Sequence, residues 1–197
     1  MRAQREAALH YKNRDSKLTT AALARVVGRK TTNDLFDATR SAVISPCGKY
    51  RYELWRRVGV GETFVVFVLL NPSTADADLD DPTIRACMEF ARRWGFAWMC
   101  VVNLFALRST KPENLYASVD PIGPENDRYI QHAVLHADCV VAAWGKHGRH
   151  RDRNTEVVRL VGNRPLHYLA LNLDGSPKHP LYISREGVRP TRWSTTV

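Results

Sequence analysis

From residue 62 onward the sequence alternates short apolar runs with helical segments, and this alternation narrows the choice of fold more than any other feature. TFVVFVLL, MCVVNLF, CVVAAW and LHYLAL are four runs of buried-strand type, rich in Val, Leu and Phe. Between them, PTIRACMEFARRWG, ENDRYIQHAVLHA and DRNTEVVRLVG carry apolar residues at helical spacing. Strands that alternate with helices pair in parallel and are covered on both faces. The pattern therefore predicts an α/β fold, a three-layer sandwich with a central four-stranded parallel sheet. Ahead of it, SAVISPCGKYRYELWRRVG reads as two strands joined at Pro46-Cys47-Gly48. Residues 1–39 are polar and basic apart from a helical TTAALARVVG, and form an N-terminal extension to an α/β domain spanning residues 40–197.

Several classes of protein are excluded early. No apolar run approaches the roughly 20 residues of a membrane span. The N-terminus lacks the apolar stretch of a secretory signal, so a cytoplasmic protein is expected. Cys47, Cys87, Cys100 and Cys139 lie far apart with no C-x-x-C pair. Reduced thiols are expected, with neither metal nor cofactor. The phosphate-binding patterns GxGxxG and GxxxxGK[ST] are absent as well.

Charge is unevenly spread along a chain whose formal net charge is +9. Residues 1–60 hold thirteen Lys/Arg against five Asp/Glu, residues 61–145 six against eleven, and residues 146–197 ten against four. Basic ends flanking an acidic centre suit a protein that grips a polyanion at its periphery, though a merely soluble basic surface has the same composition.

In open α/β sheets, ligands bind beyond the carboxyl ends of the strands. The residues there are Asn71-Pro72-Ser73, Asn103, Trp144-Gly145-Lys146 and, after the fourth run, a loop reaching His179-Pro180. Asn71 precedes a proline and is held out of the helical region. It is either a turn former or an amide projecting at a strand end. The acids Asp76, Asp78, Asp80 and Asp81 follow. Asp80 or Asp81 can cap a helix starting at Pro82, which leaves Asp76 free to share a pocket with Asn71. Asn103 ends an apolar strand, where a buried amide needs either a structural partner or a ligand. His179 is either a structural imidazole or one that converges with Asn71 and Asn103.

Taken in order, these segments resemble the uracil-DNA glycosylase superfamily from residue 62 to about residue 185. LLNPS is similar to that family's strand ending in Gly-x-Asp-Pro or Gly-x-Asn-Pro, and VVNLFAL to the strand whose Asn reads the flipped base. VVAAWGK is similar to its later strand ending in Trp-Gly, and HPLYIS to its His-Pro-Ser-Pro-Leu-Ser motif. The chain also looks like a group of phage and bacterial proteins that share the NPSTAD and HPLY signatures.

The resemblance implies hydrolysis of the bond between a flipped base and its deoxyribose, with double-stranded DNA as partner and no obligate protein partner. It implies that Asn71 holds the attacking water and that His179 stabilises the departing base. Asn103 would read the pyrimidine edge and Ile183 would fill the vacated stack. Ser184 and Lys146 would hold phosphates. Three departures qualify it. Asn71 stands where the most active uracil enzymes carry Asp, so Asp76 becomes a candidate base or acid. Ser73 stands where a Tyr would block the C5 position, so bulky C5 groups, including glycosylated hydroxymethyl pyrimidines, should be accepted. No stacking aromatic is evident; Phe105 is the nearest. Excision of such bases suits defence against phages with modified DNA. A hydrolase of free modified nucleosides or nucleotides, or a reader of modified DNA that does no chemistry, has the same motifs.

Overall fold

The computed structural model describes residues 39–73 and 75–194. The expected N-terminal extension, with its TTAALARVVG helix, lies outside them except for Thr39. The described part is a mixed α/β unit on one seven-stranded sheet. In chain order its elements are β1 (Arg40–Ile44), β2 (Arg51–Arg57), β3 (Phe64–Leu69), α1 (Pro82–Arg93), β4 (Trp98–Asn103), α2 (Pro112–Ala117), α3 (Asn126–Leu135), β5 (Cys139–Ala142), α4 (Arg153–Val161), β6 (Leu166–Tyr168) and β7 (Thr191–Arg192). Short 3₁₀ segments span Lys146–Asp152 and Pro180–Tyr182.

The strands lie in the order β1-β2-β4-β3-β5-β6-β7. The four apolar runs become β3, β4, β5 and β6, adjacent and parallel. A sheet of four strands was expected and one of seven is found. The β1–β2 hairpin extends it on one side and β7 on the other, each joined by antiparallel pairing. LHYLAL is half as long a strand as its apolar run suggested, because only Leu166–Tyr168 pairs.

The order reverses at β3. The chain passes from β3 to β4 on one side, then returns across β3 to reach β5. Right-handed crossovers put the helices of two such opposite steps on opposite faces. On one face Ile84, Cys87, Phe90 and Ala91 of α1 bury themselves against Val65, Phe67, Leu69, Met99 and Val101. Asp81 caps α1, its Oδ1 accepting the Ile84 N–H at 2.9 Å, and Pro82 follows at the first turn, where a missing N–H costs nothing. On the side of α3, Asn126 donates to the carbonyls of Asn103 and Leu104, both at 3.0 Å. Arg153, buried at the start of α4, binds the Leu104 carbonyl, Glu156 and Asp127, and so ties α4 to α3.

The acidic stretch after β3 is folded around Arg56 of β2, whose side chain is 1% exposed. Its Nε donates to Asp80 Oδ1 at 2.8 Å and its Nη2 to the Asp76 carbonyl at 2.5 Å; its Nη1 holds the Trp55 carbonyl at 2.8 Å. Asp80 also pairs with Arg40 at 2.6 Å. Asp76 closes a turn, its Oδ1 accepting from the N–H groups of Asp78 and Leu79 at 3.0 Å each. Three of the four acids are thus structural: one makes a turn, one neutralises a buried cation, and one caps a helix. Arg56→Met should therefore destabilise the fold by about 3–5 kcal/mol, since it leaves Asp80 and several carbonyls without their donor. Equilibrium urea denaturation of the full chain measures this.

Candidate functional site

The carboxyl ends of the parallel strands open into a cleft of about 690 Å³, at the place where the strand order reverses. Asn71 and Ser73 enter it from the segment after β3, Asp81 from the cap of α1, and Trp144, Gly145 and Lys146 from the end of β5. His179 and Tyr182 reach it from the loop after β6, and Arg51 from the start of β2.

Asn71 is oriented by backbone carbonyls. Its Nδ2 donates to Ser109 O at 2.7 Å and to Pro72 O at 3.0 Å, and the Ser109 N–H returns a bond to Pro72 O at 2.8 Å. The amide nitrogen is thereby committed to protein acceptors. Oδ1 accepts nothing from the described residues and is left as the half of the amide available to a ligand.

His179 is brought to the same cleft by the Gly145 N–H, which donates to Pro177 O at 2.8 Å and so stitches the His179 loop to the end of β5. Gly145 has φ +74°, and a Cβ there would stand 3.7 Å from His179 Cβ. His179 begins the Pro180–Tyr182 turn, where its Nδ1 accepts the Leu181 N–H at 3.4 Å. With Nδ1 an acceptor, the neutral ring carries its proton on Nε2. Burial pushes the imidazole below its ordinary 6.5, against an opposing pull from the Asp81 carboxylate. His179 is thus a neutral donor at pH 7.

The expected site residues divide. Asn71, Ser73, Lys146 and His179 line the cleft. Asp76 does not; two backbone hydrogen bonds hold its carboxylate below the usual range in a turn. The carboxylate that lines the cleft among the described residues is Asp81. Asn103 is fully buried behind Arg51, whose Nη2 donates to Asn103 Oδ1 at 3.4 Å. Phe105 is core, packed 5.6 Å from the His150 ring and away from the cleft lining. Ile183 was expected to project as a wedge but is buried beside α1. Leu181 and Tyr182 are the exposed apolar side chains of that turn, because the 3₁₀ geometry turns Ile183 inward. Ser184 is exposed next to them.

Among the charged lining residues, Asp81 and Arg51 escaped the sequence reading. Asp81 was seen as a cap, and one oxygen suffices for capping; only the structure shows the same carboxylate facing the cleft. Arg51 was read as a strand residue. Tyr52 is unpaired in the β1–β2 register, where Glu53 faces Val43 and Arg51 faces Ile44. This extra residue reverses the strand's alternation, which brings the Arg51 side chain to Asn103.

The rim is basic. Lys146, Arg149 and Arg151 are exposed on the segment after β5, where Arg149 and Arg151 also hold the carbonyls of Asp174, Ser118 and Val119. The turn is packed tightly: a Cβ on Gly148 would overlap the Trp144 indole. No group of three or more potential metal-binding side chains is found among the described residues, nor a helix long and apolar enough to cross a membrane. The four cysteines are free thiols. Nitrogen NMR of His179 should show the Nε2–H tautomer at pH 7, with a midpoint below 6.5 on acidification; an Nδ1–H ring would contradict the assigned hydrogen bond.

No curated protein and no solved structure matches the chain. Residues 51–181 match a family described as "Protein of unknown function (DUF1643)", a stretch that runs from Arg51 through the strands and the cleft to the turn after His179. The chain belongs to the DUF1643 family.

Proposed function

We propose that this protein is a monofunctional DNA glycosylase, built on a three-layer α/β sandwich like that of the uracil-DNA glycosylases. It removes a flipped, C5-substituted pyrimidine and leaves an abasic site. The observation that carries this reading is the pairing of Asn71 and His179 in one cleft with complementary groups turned to the ligand: a fixed amide oxygen and a neutral N–H donor.

The chemistry follows from those groups. As the bond between C1′ and the ring nitrogen breaks, its electron pair leaves with the base and the sugar becomes cationic. His179 Nε2–H donates to an oxygen of the base, where negative charge collects. A water held by Asn71 Oδ1 bonds to C1′, and the Asp81 carboxylate accepts its proton. Before that, Asp81 favours the cationic sugar.

Ser73 lines the cleft with a small side chain, which supports action on bases with bulky C5 groups. Tyr182, 71% exposed at the mouth, replaces Ile183 as the side chain suited to fill the vacated stack. Lys146, Ser184 and the basic segment behind Lys146 would hold phosphates, giving affinity that falls steeply with salt. Excision of this kind fits defence against phages with modified DNA in a cytoplasmic setting.

The test is to incubate the full chain with matched unmodified, uracil-containing and hypermodified phage DNAs, following free base by mass spectrometry and abasic sites by alkali. Release is expected from a C5-modified DNA, abolished in Asn71→Ala and His179→Ala and lost for bulky bases in Ser73→Tyr. Selective binding without release would make the protein a reader. Activity confined to free nucleosides or nucleotides, without salt-dependent DNA binding, would make it a small-molecule hydrolase.

The two acids can be separated. Asn is as good a helix cap as Asp, so Asp81→Asn should keep its stability while base release falls by about 10²-fold, the scale of a lost general base. Asp76→Asn, which keeps the turn, should retain nearly full activity. The reverse pattern would restore Asp76 to the mechanism.

A further inference from the structure

The floor of the cleft carries a buried cation that has no salt-bridge partner among the described residues. Arg51 is 2% exposed, yet it lines the cleft. Two of the five N–H donors of its guanidinium are used among the described residues, by Ala75 O at 2.7 Å and Asn103 Oδ1 at 3.4 Å. Its Nε is buried without an acceptor, and so is Nδ2 of the neighbouring Asn103. No described carboxylate lies within salt-bridge distance of it, unlike Arg56 and Arg153, the other two fully buried guanidiniums.

The surroundings do not make up the deficit. Glu53, two residues away, is also buried, and burial disfavours its charged form and raises its carboxyl to about 8, against a hydrogen bond from Trp55 that lowers it. Burial brings Arg51 itself down to about 10, still charged at pH 7; the Asp81 carboxylate favours that charge, while Arg108 and Arg56 disfavour it. A buried cation without a paired carboxylate among the described residues is expensive to keep, and its retention at the floor of a cleft points to a ligand that supplies an opposing charge.

We propose that the floor of the cleft is a receptor for an anionic oxygen of the ligand, held by Arg51 and positioned through Asn103. The fork of Asn103 Oδ1 and Ala75 O sets the guanidinium plane and leaves three of its N–H donors without a described partner. The bound oxygen has two possible sources. On the glycosylase reading, on which this identification rests, it belongs to the departing pyrimidine anion, and Arg51 joins His179 in stabilising it. Otherwise it belongs to a phosphate of a bound nucleotide.

Binding calorimetry on the full chain separates the sources without requiring any turnover. Barbiturate, a pyrimidine ring that is anionic at neutral pH, is compared with neutral uracil; deoxycytidine monophosphate is compared with deoxycytidine. A ring-anion receptor binds barbiturate at least about tenfold more tightly than uracil, the scale of one charge-assisted hydrogen bond. Arg51→Gln should abolish that preference, Arg51→Lys should keep part of it, and Arg159→Gln, on the exposed side of α4, should keep all of it. A preference for the monophosphate alone, lost in Arg51→Gln, would assign the oxygen to a phosphate. If the wild-type chain shows neither preference, the proposal is overturned whether or not the Arg51 variants fold. An Arg51-dependent preference in a protein that releases no base would instead overturn the glycosylase reading and leave the anion receptor standing.

Discussion

One buried guanidinium, Arg56, organises the segment on which the cleft depends. The loop between β3 and α1 is acidic and has few apolar residues, so burial alone would not fix it. Arg56 fixes it from the neighbouring strand by binding Asp80 and the carbonyls of Asp76 and Leu79 together. With that stretch held, Asp81 falls at the cap of α1, and α1 then lays its apolar face on the sheet. The cleft wall, the helix start and the core are therefore linked through a single charged group. Its desolvation is offset by a carboxylate and several carbonyls, the arrangement a buried cation requires.

Against that arrangement the treatment of Arg51 stands out. Both arginines come from β2, five residues apart, and both are buried. Arg56 pairs with a carboxylate, whereas Arg51 has no carboxylate partner among the described residues. The difference lies in position: Arg56 holds a loop shut, whereas Arg51 forms part of an opening. The contrast between the two histidine nitrogens of His179 follows the same logic. One is used by the backbone, and the other is left for a ligand. A cleft with a fixed amide oxygen, a neutral N–H donor, a carboxylate and a buried cation has the groups needed to separate positive from negative charge across a breaking bond.

Much of the fold was legible in the sequence. Continuous apolar runs can be buried on both faces only in a parallel setting, so the four central strands were readable from residue type, as were three helices from spacing and caps. At the edges the β1–β2 hairpin was readable too, whereas β7 was not, because it has two exposed residues and no pattern of its own. At the site, Asn71, Ser73, Lys146 and His179 were legible because strand ends define a cleft once strands are known. Asp76 and Ile183 were misplaced because sequence proximity does not reveal which way a turn sends a side chain.

The sequence by itself determined the order and type of the central elements, the cap and proline that start α1, and the polar residues at each strand end. These follow from local rules of burial, spacing and capping. The tertiary structure alone decided which acid faces the cleft, which aromatic is exposed at its mouth, and which buried arginine lines it. Each depends on a bulge, a 3₁₀ turn or a hydrogen bond between segments distant in sequence. A change of one residue in register or one turn in geometry redirects a side chain completely while leaving the local pattern almost unchanged.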